Sequence, residues 1–175
     1  MKSGTLAAAL AAVSGTAVLG GLVTDPKSTY YRTLAKPSWL PPPQVFGLVW
    51  TPLYADIAVS SAVVLDRAQQ QGRHAEHRGY LTALGINLGL NAGWSALFFH
   101  SHRPWLAAAE CAVLTASSAD LVRRAARIDG RAAAALAPYP AWCAFATALT
   151  VAIAKRNPKT TAAGNILYRL THRTG

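Results

Sequence analysis

The sequence predicts an all-α integral membrane protein, a bundle of five transmembrane helices. Of the 175 residues, 52% are hydrophobic and 14% are charged. Most of the charged residues collect in a few segments, and the runs between them are apolar for about 20 residues, the length of helix that crosses roughly 30 Å of hydrocarbon. The charged segments are 27–36, 67–78, 123–131 and 155–173.

Five apolar runs are the predicted spans. They cover residues 4–24, 44–65, 80–99, 104–122 and 132–154. The first run follows Lys2 as a signal peptide would, but it is long for the apolar core of one, and four more runs follow it. We therefore expect a retained first helix, a single transmembrane domain over residues 1–156, and a flexible polar tail over residues 157–175.

The net charge of +10 does not indicate nucleic-acid binding. The basic residues lie at the ends of the spans, where Lys and Arg anchor helices and contact anionic head groups, and no long basic run carries interleaved aromatics. Five spans place eight of the 17 Lys and Arg on the N-terminal side and nine on the other, so charge does not set the orientation. We expect a bacterial-type cell membrane as the location and the lipid bilayer as a partner.

Proline and glycine mark the predicted helix ends. Three consecutive prolines, at 41–43, form a stiff entry to the second span, and Pro52 should kink it. Gly72 and Gly79 should break the flanking helices, which leaves a polar loop over residues 66–79. The dipeptide Asn157-Pro158 ends the fifth helix.

The third span carries two different faces at helical spacing. One face is Gly85, Gly89 and Gly93. The opposite face is Asn87, Asn91, Trp94 and Phe98. Overlapping GxxxG steps favour close helix packing, either within the bundle or between protomers of a homodimer. Two intramembrane asparagines need hydrogen-bond partners, which either neighbouring helices or a bound ligand would supply.

Aromatic stripes on two other spans favour the ligand. The second span carries Phe46, Trp50 and Tyr54, the fifth carries Tyr139, Trp142 and Ala146, and the first loop adds Trp39. Such stripes usually serve core packing, but here three spans carry them at a similar depth. Aromatics that converge with asparagine are typical of a site for a large, flat, apolar ligand with polar edges.

Three acidic residues, Asp56, Glu110 and Asp120, lie within the spans. A charge at mid-bilayer costs about 2.5–3.5 kcal/mol or more, so we expect each to face protein, either in structural pairing or in a proton or ligand role. The two cysteines, Cys111 and Cys143, fit small apolar filler. We predict no metal site, no covalent cofactor and no hydrolytic triad.

Four motifs stand in order between residues 30 and 156. They are Lys36-Pro37-Ser38-Trp39-x-Pro41-Pro42, Val45-Phe46-Gly47-x-Val49-Trp50-Thr51-x-Leu53-Tyr54, Leu90-Asn91-x-x-Trp94-Ser95-x-x-Phe98-Phe99 and Pro138-Tyr139-x-x-Trp142-x-x-Phe145-Ala146-Thr147-x-Leu149. Together these motifs resemble the TspO/MBR family of tryptophan-rich sensory and translocator proteins. The resemblance implies a five-helix membrane bundle, often dimeric, that binds porphyrins.

The resemblance also implies the residues of the site. The family's pocket corresponds here to Trp39, Trp50, Tyr54, Asn91, Trp94, Tyr139, Trp142 and Ala146. The chain departs from the family at Gln44 and Leu48, where tryptophan and proline are usual, and at Val151, where the sterol-recognition pattern has tyrosine. We therefore predict no sterol binding through that pattern.

Three functions follow from the resemblance. The first is a receptor or sensor that binds protoporphyrin IX or haem-like tetrapyrroles, with cations such as Lys36 or Arg32 pairing with propionates at the mouth. The second is a light-dependent porphyrin-degrading enzyme in which Trp50 and Trp142 are the reacting residues. The third is a small-molecule transporter.

Overall fold

The computed structural model describes residues 2–158. Within that range the chain forms seven helices and no strand. They are α1 (Ser3–Val23), α2 (Thr29–Thr33), α3 (Pro43–Gln70), α4 (His74–Phe99), α5 (Pro104–Ala126), α6 (Gly130–Leu136) and α7 (Pro138–Arg156). The predicted flexible tail lies outside the described residues from residue 159 onward.

Four helical segments are long and apolar enough to cross a membrane. They are α1, α3, α5 and the consecutive pair α6–α7, taken together as Gly130–Arg156. Helix α4 has 26 residues, which is long enough to cross, but it is not one of these four. Its two asparagines, Asn87 and Asn91, lower its mean hydropathy. The prediction of an all-α integral membrane protein is confirmed.

The connection between α3 and α4 is much shorter than predicted. Helix α3 continues to Gln70 and α4 begins at His74, so only three residues join them. Gly72, with a φ of +67°, makes the turn, whereas Gly79 lies inside α4, so its prediction as a helix breaker was wrong. Apolar runs mark only the part of a helix that is in hydrocarbon, and both helices extend beyond it with polar residues.

The predicted fifth span is two helices. Pro138 and Pro140 have no amide hydrogen, so they cannot donate the α-helical hydrogen bond to the carbonyl four residues earlier, at Ala134 and Leu136. Helix α6 therefore ends before α7 begins. A short helix in the first loop, α2, was not predicted; Ser28 caps it by accepting a hydrogen bond from the Tyr31 amide at 3.3 Å.

Helix α3 begins at Pro43, a first-turn position where a missing amide hydrogen costs nothing. It continues through Pro52, which leaves the Leu48 carbonyl without its usual amide partner. At the far end of α3, the buried carboxylate of Asp66 accepts hydrogen bonds from the Lys2 amide and, at 2.6 Å, from the Thr5 hydroxyl. This carboxylate therefore ties the start of α1 to α3.

The bundle packs mainly through α5, which lies against α4 and α7, while α1 lies against α3 and α4. The main core contains fully buried Ile57, Tyr80 and Leu121. A second, smaller cluster lies near the first loop; it contains Leu34, Phe98, Phe99, Ala107, Leu149 and Ile153. Aromatic side chains of the first loop pack against this second cluster.

The glycine face of α4 is open in the described part of the chain. Gly85 and Gly89 are exposed, Gly93 is half-buried, and a Cβ built at any of the three would meet no atom within 4 Å. Within residues 2–158, therefore, no neighbouring helix packs closely on this face. The face remains available to lipid or to a second copy.

Replacing Asp129 by alanine should destabilise the protein. The carboxylate of Asp129 is 6% exposed, accepts hydrogen bonds from the Arg131 and Ala132 amides at 2.9 Å and lies 2.7 Å from the Arg67 Nε. Loss of such a helix cap typically costs about 1 kcal/mol. Thermal unfolding in detergent should show a lower midpoint for Asp129→Ala, while Asp129→Asn, which keeps the capping oxygen and loses the charge, should lose less.

The charge at Asp129 adds a pH dependence. The Ala132 amide and then the Arg67 guanidinium hold the pKa of Asp129 below its ordinary value. A lowered folded-state pKa stabilises the fold above the unfolded value, about 3.9, and that contribution disappears as the pH falls through the folded pKa. The stability difference between wild type and Asp129→Asn should therefore shrink below about pH 4; a difference that stays constant would contradict this assignment.

A candidate ligand cavity beneath the first loop

A cavity of about 420 Å³ lies between α1, α3, α4, α5 and α7, beside the first loop, residues 24–42. Small-molecule sites usually occupy roughly 300–1,000 Å³. The predicted site residues that line it are Phe46, Trp50, Tyr54, Asn91, Trp94, Phe98, Trp142 and Ala146. Stripes that the sequence placed on three separate helices thus meet around one space.

Three predicted ligand-binding residues do not line the cavity. Trp39 is 46% exposed on the first loop, and its ring meets the Phe145 ring edge-on, with centroids 5.9 Å apart. Asn87 and Tyr139, which are 0% and 1% exposed, lie among the helices within the bundle. Their side chains contact protein rather than the open volume.

Aromatic pairs build the walls of the cavity. Trp50 stacks on Tyr54 with ring centroids 5.2 Å apart, and Trp94 stacks on Phe98 at 5.5 Å. Phe46 meets Trp142 edge-on at 5.9 Å, which joins α3 to α7. Such pairs are favourable beyond their buried area, so the rings hold one another in place and present fixed faces to a ligand.

Sequence reasoning missed the contribution of α1 and α5. Ala17, Gly20 and Gly21 of α1 and the following residue, Thr24, line the cavity, as do Cys111 and Leu114 of α5. A Cβ at Gly20 would lie 3.6 Å from the Ser95 hydroxyl oxygen, and the Thr24 hydroxyl lies 3.2 Å from the same oxygen. The adjacent glycines near the end of the first span were the available signal for this close approach of α1 to α4.

A chain of hydrogen bonds runs from the cavity into the bundle. The Tyr54 hydroxyl donates to Asn91 Oδ1 at 2.7 Å, and Asn91 Nδ2 donates to the Tyr139 oxygen at 3.2 Å. The Tyr139 hydroxyl donates to Asn87 Oδ1 at 2.8 Å. These contacts join α3, α4 and α7 through side chains that have no water to bind in a membrane.

The chain continues onto α5. Asn87 Nδ2 donates to the hydroxyl oxygens of Ser117 and Ser118, at 3.2 and 3.1 Å. The sequence left two roles open for the asparagines, hydrogen bonding between helices and ligand binding. Asn87 has the first of these, because its contacts hold helices together. For Asn91 both roles stay open, because it belongs to the hydrogen-bond chain and also lines the cavity.

The first loop is fastened to the ends of the bundle. The side chain of Asn157, at the end of α7, accepts from the Ala35 amide and donates to the Ala35 carbonyl, both at 2.9 Å. The Tyr30 ring packs on His102 with centroids 4.2 Å apart. These contacts tie the loop to α7 and to the turn between α4 and α5.

The sequence predicts Lys36 at the mouth of the site, but its contacts lie within the first loop. Its ammonium group donates to the carbonyls of Tyr31 and Leu34 and lies 4.5 Å from the centre of the Tyr31 ring. Lys36 therefore braces the loop rather than extending to the mouth. Arg32, the other expected cation, is exposed on α2.

The intramembrane acids differ in their partners among residues 2–158. Asp56 accepts a hydrogen bond from Ser60 at 2.9 Å through one oxygen, while its other oxygen is buried without a partner. Asp120 pairs with Arg123 and Arg124. Both carboxyl oxygens of Glu110 are buried with no hydrogen bond. Asp120 therefore has the structural pairing expected for these acids, and Asp56 has it through one of its two carboxyl oxygens.

Two indole groups of the cavity also lack partners. The Nε1 atoms of Trp94 and Trp142 are buried, and no acceptor in the described part of the chain reaches them. An unmade hydrogen bond of a buried donor costs about 1–3 kcal/mol. Both residues line the cavity, but these two nitrogen atoms have almost no surface open to it.

Comparison with known proteins decides the family. The family model for TspO/MBR matches residues 7–156. The chain belongs to the TspO/MBR family. Its resemblance through four motifs is thereby confirmed, and the match includes at least part of every long helix of the bundle.

Named relatives agree with the family assignment. The chain is 35% identical to the tryptophan-rich protein TspO of Chlorobaculum tepidum over 133 residues, 76% of this chain and 82% of the relative. It is 30% identical to the tryptophan-rich protein TspO of Bacillus cereus over 122 residues, 70% and 76% of the two chains. It is also 30% identical to the human translocator protein over 131 residues, 73% and 75% of the two chains.

Proposed function

We propose that this TspO/MBR protein is a membrane receptor or sensor that binds porphyrins in the cavity beneath the first loop. The bound tetrapyrrole would then be regulated, moved or disposed of. The observation that carries the proposal is the meeting of Phe46, Trp50, Trp94 and Trp142 around one volume together with Asn91. Flat aromatic faces stack on a macrocycle, and the surrounding apolar surface favours its burial.

Charge at the first-loop end supports an anionic ligand. Among the described residues, this end carries six basic side chains and a single acidic one, Asp25. The basic residues are Lys27, Arg32, Lys36, Arg103, Lys155 and Arg156. Since Lys36 is used within the loop, Arg32 and Arg103 are the better candidates for pairing with the two propionates of a porphyrin.

The test of porphyrin binding is a fluorescence-quenching titration. Detergent-purified wild type should bind protoporphyrin IX saturably, while Trp142→Ala and Asn91→Ala should weaken binding about tenfold or more because they remove a stacking face and a polar contact. Val113→Ala, on the outward face of α5, is the matched control and should bind as wild type does. Quenching that is not saturable, or that all four proteins share equally, would contradict the proposal.

Light-dependent porphyrin breakdown is a second candidate function. The observation that favours it is that Trp50 and Trp142, the two tryptophans implied by the family resemblance, both line the cavity. Both indoles would then lie close to a bound macrocycle, within reach for electron exchange with its excited state.

Illumination of the loaded protein separates binding from breakdown. If the protein is an enzyme, porphyrin absorbance should fall faster in wild type than in Trp50→Phe and Trp142→Phe when equal amounts of ligand are bound, with free porphyrin under the same light as the reference. Equal bleaching rates in all three proteins would leave binding as the function and exclude the enzymatic candidate.

We also propose that α4 crosses the membrane as a fifth span and that its glycine face joins two copies in a homodimer. The length of α4, the satisfaction of Asn87 inside the bundle and the open surface over Gly85 and Gly89 support this arrangement. Glycines let two helix backbones approach closely, which favours association in lipid.

A cysteine at Gly89 tests both parts. Gly89→Cys in native membranes should form a cross-linked dimer on mild oxidation, while Val113→Cys on α5 should not, and a spin label at Gly89 should be more accessible to oxygen than to a water-soluble relaxant. The native thiols are buried and should not interfere. Preferred accessibility to the water-soluble relaxant would contradict a fifth span, and cross-linking at Val113 alone would contradict this dimer face.

A further inference from the structure

The direction of the buried hydrogen-bond chain is set at its inner end. Ser118 donates its only hydroxyl proton to the Leu114 carbonyl at 2.8 Å, and a carbonyl can only accept. Towards Asn87 the Ser118 oxygen is therefore an acceptor. Asn87 must present its amide nitrogen to Ser118, which turns its Oδ1 towards Tyr139.

Each following contact is then determined in turn. Tyr139 must donate its proton to Asn87 Oδ1, so the Tyr139 oxygen accepts from Asn91 Nδ2. With its amide nitrogen used in this way, Asn91 turns Oδ1 towards Tyr54, and the Tyr54 hydroxyl must donate to it. Each hydrogen bond in this series is donated in the direction that leads away from the cavity and ends at the Leu114 carbonyl.

Tyr54 is the outermost member of this series of hydrogen bonds, and it is the member at which the direction matters for a ligand. Tyr54 lines the cavity and its proton is held by Asn91 at 2.7 Å, so its oxygen has only lone pairs left to offer a ligand. We infer that Tyr54 is a specificity-determining acceptor, which selects a ligand with an N–H or O–H donor at that point, such as a secondary amide or an alcohol. This inference rests on the proposed porphyrin-binding function and deepens it.

The same polarity limits how a ligand is oriented. An ionised carboxylate has acceptors only and would face the Tyr54 lone pairs without a hydrogen bond, so carboxylates belong at the basic first-loop end. The cavity thus favours a hydrogen-bond donor at Tyr54 and carboxylates at the first-loop end.

A pair of matched ligands tests the donor requirement. The bis(N-methylamide) and the bis(N,N-dimethylamide) of protoporphyrin IX share one macrocycle and differ only in whether N–H or N–CH₃ is present. Because neither carries a carboxylate, the basic first-loop end does not hold the amide edge, and that edge is free to lie at Tyr54. Wild type should prefer the N–H ligand, relative to Tyr54→Phe, by about three- to tenfold, the range that one neutral hydrogen bond supplies. The ratio of the two ligands' affinities for Tyr54→Phe measures what ligand size and partitioning alone contribute.

Tyr80→Phe is the matched control. The Tyr80 hydroxyl is also buried and lies 3.0 Å from the Ser61 hydroxyl, but Tyr80 does not line the cavity. This variant should keep the wild-type preference for the N–H ligand. Equal ratios in wild type and Tyr54→Phe would overturn the inference.

A measurement without ligand keeps the inference separate from porphyrin binding. In protein labelled with ¹³C in the tyrosine rings, the infrared difference between wild type and Tyr54→Phe isolates the C–O stretch of Tyr54. A stretch typical of a phenol that donates without accepting supports the direction of the chain, even if porphyrin binding fails. A stretch typical of an accepting phenol would overturn it.

Discussion

The arrangement of this bundle depends on the need to satisfy polar side chains where no water is present. Asn87 and Asn91 project from α4 into the interior, and each finds its partners on other helices. Because a hydrogen bond requires both distance and angle, these contacts fix the rotation of α4 relative to α3, α5 and α7. The aromatic side chains that line the cavity are thereby aimed at one volume.

The cavity is the space that remains above this polar layer. Below it the helices meet through small and aliphatic residues, and near the first loop they are held apart by large rings that stack in pairs. The first loop closes this end because prolines stop it from continuing the helix and because Asn157 and His102 fasten it to the bundle. A rigid floor and a fastened loop suit a site that is largely formed before its ligand arrives.

Among the described residues, two kinds of polar group are buried in this bundle without hydrogen-bond partners. Glu110 and the indole groups of Trp94 and Trp142 place unpartnered polar atoms in an apolar interior, where each reduces stability. Proteins retain such costs mainly where function needs the group. Among residues 2–158, neither indole N–H nor the Glu110 carboxyl group finds a hydrogen-bond partner, although both tryptophans line the cavity.

The sequence by itself determined the helical membrane class and much of the site, because apolar run length and helical periodicity are local properties. Stripes such as Trp50 with Tyr54 and Asn91 with Trp94 follow from spacing alone. Only the tertiary structure decided that Asn87 and Tyr139 serve the bundle, that Lys36 braces the loop and that α1 forms a wall. Those outcomes depend on how far apart helices lie and which way they are rotated, and helical spacing within one segment contains neither quantity.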